Sequence, residues 1–334
     1  MRRLVIPALA LAALLVQASS AISAEGRRWA DGYIPNLPVV DQQGRTLRFY
    51  DDVIKGKIVV VSFIYTSCKD ICPLITARLA QVAERLGDRM GRNVHFVSIS
   101  VDPKTDTPER LGAHAAAFHA GPGWTFLTGD LADIKAINGR LGEKMRSLSE
   151  HRTEIVLGND ATGEWARNSV FGDMNRLVMD ILAMDPEWRD RPHAVQSAQA
   201  GEVGYKLELP PGQALFKRMC AGCHAFKVGD SIGPDLYGVT RRRTRTWLVD
   251  FIMSPDKMIR QNDPAAVALL QRFPGVRMPN LGLTEVDAND LVVYIEHQTT
   301  RLDTDRVEAE RAMPAHGHHD HRRGGGVHHG HHQH

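Results

Sequence analysis

The run K-I-V-V-V-S-F-I-Y, residues 57–65, constrains the fold more than any other stretch of the chain. It is a continuous β-branched and aromatic run with no polar alternation, so it reads as a strand buried on both faces. Such a strand needs helices on either side of its sheet, and the neighbouring sequence provides them. From Pro73, "P-L-I-T-A-R-L-A-Q-V-A-E-R-L" repeats apolar residues at helical spacing. "V-H-F-V-S-I-S-V" (94–101) is a second buried strand, and Thr107-Pro108 opens another helix, with Glu109 in its first turn. "T-F-L-T-G" is a short third strand, and "E-I-V-L-G-N-D-A-T-G-E-W-A-R" is a hairpin turning at Asn159 to Gly163. A helix over Asp173 to Met184 closes the set. The expectation is an α/β sandwich of about thioredoxin size.

The pattern then changes. Residues 185–210 carry Pro and polar residues without periodicity and read as a linker. Strand signals vanish beyond it. Helices are expected at Pro211–Met219, Thr246–Met253 and Thr284–Gln298, which makes residues 211–300 a second, all-α domain. Residues 301–334 form a tail with nine of the sixteen histidines and too few apolar side chains for a core, so it is expected to be disordered. Its imidazoles make it a candidate low-specificity collector of copper or zinc.

At the other end, M-R-R, an apolar stretch and then A-S-S-A-I-S-A have the three-part form of a secretory signal peptide over residues 1–24, with cleavage after Ala21 or Ala24. An uncleaved anchor is the alternative, and membrane attachment is expected only in that case. The rest of the chain is expected outside the cytoplasm, in a bacterial periplasm. A net charge of +2 gives no electrostatic argument for nucleic acid, and none is expected as a partner.

Only four cysteines are present, in two tight pairs, too few to staple a disulfide scaffold. Cys220 and Cys223 stand in C-A-G-C-H, the attachment pattern for a covalent haem c. Two thiols at that spacing can bond the two vinyl groups of one haem, which sets His224 under the iron as proximal ligand. A zinc ribbon would need a second Cys or His pair, and none follows in this region.

The other pair, Cys68 and Cys72 in T-S-C-K-D-I-C-P, lies between the buried strand and the helix. Soft thiolates suit Cu(I) and Zn(II). A helix N-terminus is expected to lower the thiol pKa values, which serves metal binding and disulfide exchange alike. Metal site, redox couple and structural disulfide all remain open on this chemistry. The spacing is one residue longer than C-x-x-C, and no Pro occurs between Pro122 and Pro186, where a thiol oxidoreductase of thioredoxin type carries its cis-Pro. His151 stands there instead, in S-E-H-R-T-E-I, and can complete a site of two sulfurs and one nitrogen.

Residues 30–184 resemble the Sco/SenC family of thioredoxin-like copper proteins. The likeness is carried by S-F-I-Y-T-S-C-K-D-I-C-P-L-I-T-A-R-L, by V-S-I-S-V-D-P-K-T-D-T-P-E-R-L and by W-T-F-L-T-G-D. The resemblance implies Cys68, Cys72 and His151 as ligands of one copper, as Cu(I) or Cu(II), and service in assembly of the copper centre of cytochrome c oxidase. The chain departs from that family's pattern at Lys69, where Pro is usual, and at Glu150 and Arg152 around the histidine. Positive charge from Lys69 and Arg152 would favour thiolate and oppose a bound cation.

Residues 211–300 resemble a monohaem cytochrome c in P-P-G-Q-A-L-F-K-R-M-C-A-G-C-H, I-G-P-D-L-Y-G-V-T, V-R-M-P-N-L-G-L-T-E and the helix that follows. That resemblance implies Met278 as the second axial ligand, ahead of Met253 and Met258, and a Pro234 carbonyl supporting His224. "R-R-R-T-R" (241–245) is a candidate contact for haem propionates or an acidic partner.

The combined expectation is an exported redox metalloprotein, a copper chaperone and electron-transfer protein rather than an enzyme. Its partner would be the copper subunit of cytochrome c oxidase or another exported redox protein. Two other readings are a haem-coupled thiol–disulfide reductase with Cys68 and Cys72 as redox thiols, and an electron carrier whose first domain docks it.

Overall fold

A computed structural model describes residues 32–143, 153–190 and 211–312. The expected leader, His151 and the histidine run of the tail all lie outside those residues.

The buried run forms strand β3 (Ile58–Ile64), all seven residues of which are buried. Two shorter strands precede it, β1 (Pro38–Asp41) and β2 (Thr46–Arg48). Strands β4 (Val94–Ser100), β5 (Trp124–Thr128), β6 (Glu154–Asn159) and β7 (Glu164–Ser169) follow. They make one seven-stranded sheet in the order β2-β1-β5-β4-β3-β6-β7. β3 runs parallel to β4 and β4 to β5, while β6 is antiparallel to β3 and forms a hairpin with β7. Parallel neighbours need crossover helices. These are α1 (Cys72–Leu86) and α2 (Pro108–Ala117). Helices α3 (Leu131–Arg140) and α4 (Met174–Ala183) complete the two layers. Side chains alternate across a strand, so β3 feeds two cores. Val60 and Ile64 join Ile75, Leu79, Val82, Leu111 and Leu177 on one face. Val59, Val61 and Phe63 join Ile134 and Ile137 on the other.

The α/β sandwich is therefore as expected, with several additions, among them a helical turn over Phe49–Ile54. The β1–β2 hairpin and α3 lie in stretches where no element was expected. A short helix, α5 (Pro186–Arg189), begins what reads as linker, because Asp185 caps it through two backbone amides.

The second domain is all-helical as expected, with α6 (Pro211–Met219), α7 (Val239–Arg242), α8 (Arg245–Met253), α9 (Pro255–Arg260), α10 (Pro264–Arg272) and α11 (Glu285–Ala312). Its core joins α6, α8 and α11 through Phe216, Leu248, Leu291, Tyr294 and Ile295. α11 runs past the expected end at residue 298. Tyr237 and Arg241 both bond Asp303, so contacts to the domain body continue beyond that point. Among the described residues no helix is long and apolar enough to cross a membrane.

The two domains dock directly. Gly222, inside C-A-G-C-H, lies so close to α1 that an added Cβ would stand 3.3 Å from the Ala77 Cβ. Phe118 and Ile232 bury themselves beside Ala77 at the same seam. Arg78, only 3% exposed, is the polar link. Its guanidinium donates to the carbonyls of Val170 and Gly172 in its own domain and to those of Lys217 and Arg218 in the last turn of α6. The orphan carbonyls at a helix C-terminus favour such a cation. Gln81 adds a bond from Nε2 to the Ala221 carbonyl at 2.6 Å.

Candidate metal and haem sites

The thiol site is built at the start of α1. Pro73 occupies the first turn, where a missing N–H costs nothing. No side-chain oxygen caps the helix. The Cys72 amide instead donates to Cys68 Sγ at 3.4 Å. Cys72 is fully buried and Cys68 is 9% exposed. The loop before them is held by Asp106, itself fully buried. One carboxylate oxygen accepts from the Thr66 amide at 3.1 Å and the Thr66 hydroxyl at 2.5 Å. The other accepts from Ser100 Oγ at 2.6 Å. On the helix side, Thr76 Oγ1 donates to the Cys72 carbonyl at 3.0 Å and lies 3.2 Å from His114 Nε2. Burial lowers the pKa of His114 to about 4, so its ring is neutral at pH 7.

The expected lowering of the thiol pKa values is not found at Cys72. Its hydrogen bond with the Cys68 thiol, burial and the neighbouring Cys68 charge, in that order, push it well above the ordinary thiol range. The helix N-terminus does act on the pair, but through the amide given to Cys68. Two sulfurs in contact in an apolar setting cannot both carry charge cheaply. Tyr65 adjoins them, and burial followed by its bond with Cys68 raises its phenol as well. The pair offers two soft donors and must release a proton to bind a metal. Among the described residues no group of three His, Cys, Asp or Glu converges as a metal cage. His151, the expected third ligand, lies outside the described residues.

The second site is a cavity of about 600 Å³ lined by Cys220, His224, Leu236, Trp247, Phe251 and Met278, among others. Cys223 lines an adjoining cavity that also reaches His224 and Met278. The spacing of C-A-G-C-H and the tertiary fold therefore bring all four expected haem residues together. Burial pushes both Cys220 and Cys223 up to about 12, so each is a protonated thiol here. His224 Nδ1 bonds the Pro234 carbonyl at 2.9 Å, as expected, which leaves Nε2 for the cavity. Gly233 makes room for the ring, since an added Cβ would lie 2.8 Å from His224 Cε1. Apolar walls, two thiols, an oriented imidazole and a thioether suit a covalently attached haem.

The arginine run divides. Arg242 and Arg243 line the cavity, whereas Arg241 pairs with Asp303 and Arg245 bonds Asn289. Met253 packs at the edge of the helical core, and Met258 lies in α9; neither lines the cavity. The site residues missing from the sequence reading are Tyr65, Arg78, Asp106, His114 and Asn280, whose backbone N–H donates to the Lys69 carbonyl. Tyr65, Arg78, Asp106 and Asn280 stand inside the stretches that carry the resemblances, but those stretches do not say what each residue touches, and His114 had no signal.

Comparison with known proteins agrees with both halves. The SCO1/SenC family model matches residues 33–156 and the cytochrome c model matches residues 210–299. A SCO2-like protein of Rickettsia felis is 33% identical over 157 residues, covering 44% of this chain and 74% of the relative. This chain belongs to the SCO1/SenC family. It carries a cytochrome c domain after its thioredoxin-like one. A Stutzerimonas stutzeri protein named for copper binding is 30% identical over 109 residues, 33% of this chain and 52% of that relative. The chain thus spans about half the length of that relative. Among solved structures, a SCO1/SenC family lipoprotein from Bacillus anthracis has a TM-score of 0.40 and 26% identity, covering 44% of this chain and 92% of that one.

Proposed function

We propose that this SCO1/SenC chain is an exported redox metalloprotein that binds copper for assembly of the copper centre of cytochrome c oxidase and couples that task to haem c electron transfer. The observation that carries the reading is the seam between the domains. The loop holding Cys68 and Cys72 and the cavity holding Cys220, Cys223, His224 and Met278 are built against the same helix, α1.

Cys68, Cys72 and His151 would hold copper, the cargo. Cys220 and Cys223 would hold the haem through thioether bonds, with His224 and Met278 on the iron. A haem so ligated supplies a one-electron couple, and a thioether ligand raises its potential. The chain's own residues set the rest. Pro234 fixes the His224 tautomer, Asp106 and Thr66 hold the thiol loop in place, and the bond with Cys68 followed by burial raises the Cys72 thiol, so that metal binding there releases a proton.

The test is metal stoichiometry on a chain truncated after residue 312. One copper per chain is expected, lost in Cys68→Ser and in His151→Ala. Absence of copper from the truncated chain sinks the reading. Disulfide turnover that survives His151→Ala would instead make the protein a thiol–disulfide reductase.

A further inference from the structure

The methionine strap of the haem domain touches the thiol loop itself. Asn280 donates its backbone N–H to the Lys69 carbonyl at 3.3 Å. Lys69 directly follows Cys68, and Asn280 lies two residues beyond Met278. The strap is stiff on its far side, because Asn280 Oδ1 accepts from the Gly282 amide at 3.1 Å and Pro279 fixes its own φ. Leu74, in the first turn of α1, also lines the cavity that holds Cys223, His224 and Met278. A short covalent path with one hydrogen bond thus joins Cys68 to Met278.

The two thiols are held differently. Cys72 is anchored in α1, fully buried, with Thr76 on its carbonyl. Cys68 lies in the loop before α1, held by the Cys72 amide, the Cys72 thiol and the Tyr65 phenol on its sulfur and by the Tyr65 carbonyl on its own amide. Oxidation by a disulfide of the glutathione class forms a bond between Cys68 Sγ and Cys72 Sγ. It breaks the S–S bond of the oxidant and delivers two electrons and two protons, giving two glutathione thiols. Closing a disulfide needs a sulfur separation of about 2.05 Å and a narrow dihedral range. Bringing Cys68 Sγ to that separation changes its bond with the Cys72 amide. Cys72 belongs to α1 and residues 68–71 precede the helix, so the backbone adjustment is assigned to those residues, with Lys69 first in line.

We infer that Lys69 and Asn280 are positioning residues for Met278, so that the dithiol or disulfide state of Cys68 and Cys72 sets how Met278 is presented to the haem cavity. This rests on the proposed haem role of Met278 but not on copper binding. It gives the fused domain a reason to be docked, since the haem site senses the state of the thiols.

The experiment uses the full chain carrying its haem, with the thiols reduced or oxidised by glutathione disulfide. Two readouts are taken: hydrogen exchange at the Asn280 amide and the methionine-to-iron charge-transfer absorption. Oxidation is expected to lower Asn280 protection by about fivefold, the worth of one hydrogen bond, and to change the absorption. Asn280→Pro deletes the donor together with the Oδ1 acceptor of the Gly282 amide, whereas Asn280→Ala deletes that acceptor alone, so the difference between the two variants isolates the donor. In Asn280→Pro the absorption should no longer depend on thiol state, while Asn280→Ala, which keeps the N–H, should retain that dependence. Equal Asn280 protection and equal absorption in both thiol states overturn the inference. So does a thiol-dependent absorption that persists in Asn280→Pro. Should that variant not fold, exchange in the parent decides alone. Failure of copper stoichiometry would remove the proposed function and leave these outcomes untouched.

Discussion

Replacing Arg78 by Ala should unlock the two domains. The guanidinium is buried, and burial followed by repulsion from Arg85 lowers its pKa, with Asp173 opposing. It stays charged all the same, because arginine titrates far above neutrality. Its four carbonyl acceptors split evenly, Val170 and Gly172 in the sandwich and Lys217 and Arg218 at the end of α6. A hydrogen bond to a charged group contributes roughly 1.5–3 kcal/mol. Removing the cation also recovers its desolvation cost and lets water reach some carbonyls, so the net loss should be about 3–5 kcal/mol. About half of that belongs to docking. Urea unfolding would be followed by Soret absorbance for the haem domain and by pulse alkylation of Cys68 and Cys72 for the sandwich. The parent should give coincident transitions. Arg78→Ala should lower the midpoint by roughly 1–1.7 M, taking a slope of about 3 kcal/mol/M, and should separate the two transitions. Arg78→Lys keeps the charge without the fork and should fall between. Coincident transitions in Arg78→Ala, with a midpoint unchanged within about 0.2 M, would refute the assignment of Arg78 as the joint.

Three further outcomes are expected. His114 has a pKa of about 4 when folded against 6.5 ordinarily, so between those values only the unfolded chain takes up the proton. Stability should therefore fall on acidification, by about 3 kcal/mol from pH 7 to 4. His114→Gln should flatten that slope, and denaturant titrations across the range would detect it. Asp106→Ala should cost about 2–4 kcal/mol, because it strands the Thr66 amide and the Ser100 hydroxyl. It should also speed alkylation of Cys68, and an unchanged rate would contradict its role in holding the loop. Met278→Ala should lower the haem midpoint potential and open the iron to added imidazole. A spectrum indifferent to imidazole would place the axial ligand elsewhere.

Much of the fold was legible because its signals are local. The apolar run 57–65, the Pro at the starts of α1, α2 and α6 and the turn at Asn159 to Gly163 act within a few residues of themselves. The β1–β2 hairpin was not legible. Its strands are four and three residues long, and β1 is fixed by pairing with β5, far along the chain. The extension of α11 was hidden for a similar reason. Its sequence there is polar, and the described contacts beyond residue 298 include the bonds of Asp303 with Tyr237 and Arg241.

The chemistry divides along the same line. Spacing alone named Cys68, Cys72, Cys220, Cys223 and His224, because two thiols three or four positions apart are close in any fold. Resemblance added Met278, and the cavity then brought it to His224. Only the tertiary structure decided that Cys72 is a protonated thiol rather than an activated thiolate. A helix N-terminus can be read from a sequence; the burial that outweighs it cannot. Only the tertiary structure set the thiols and the haem cavity on opposite sides of one hydrogen bond, between Lys69 and Asn280. That contact joins residues more than two hundred positions apart, and no periodicity or motif reaches across such a gap. It exists because two apolar faces, around Ala77 and around Ile232, exclude water only by meeting.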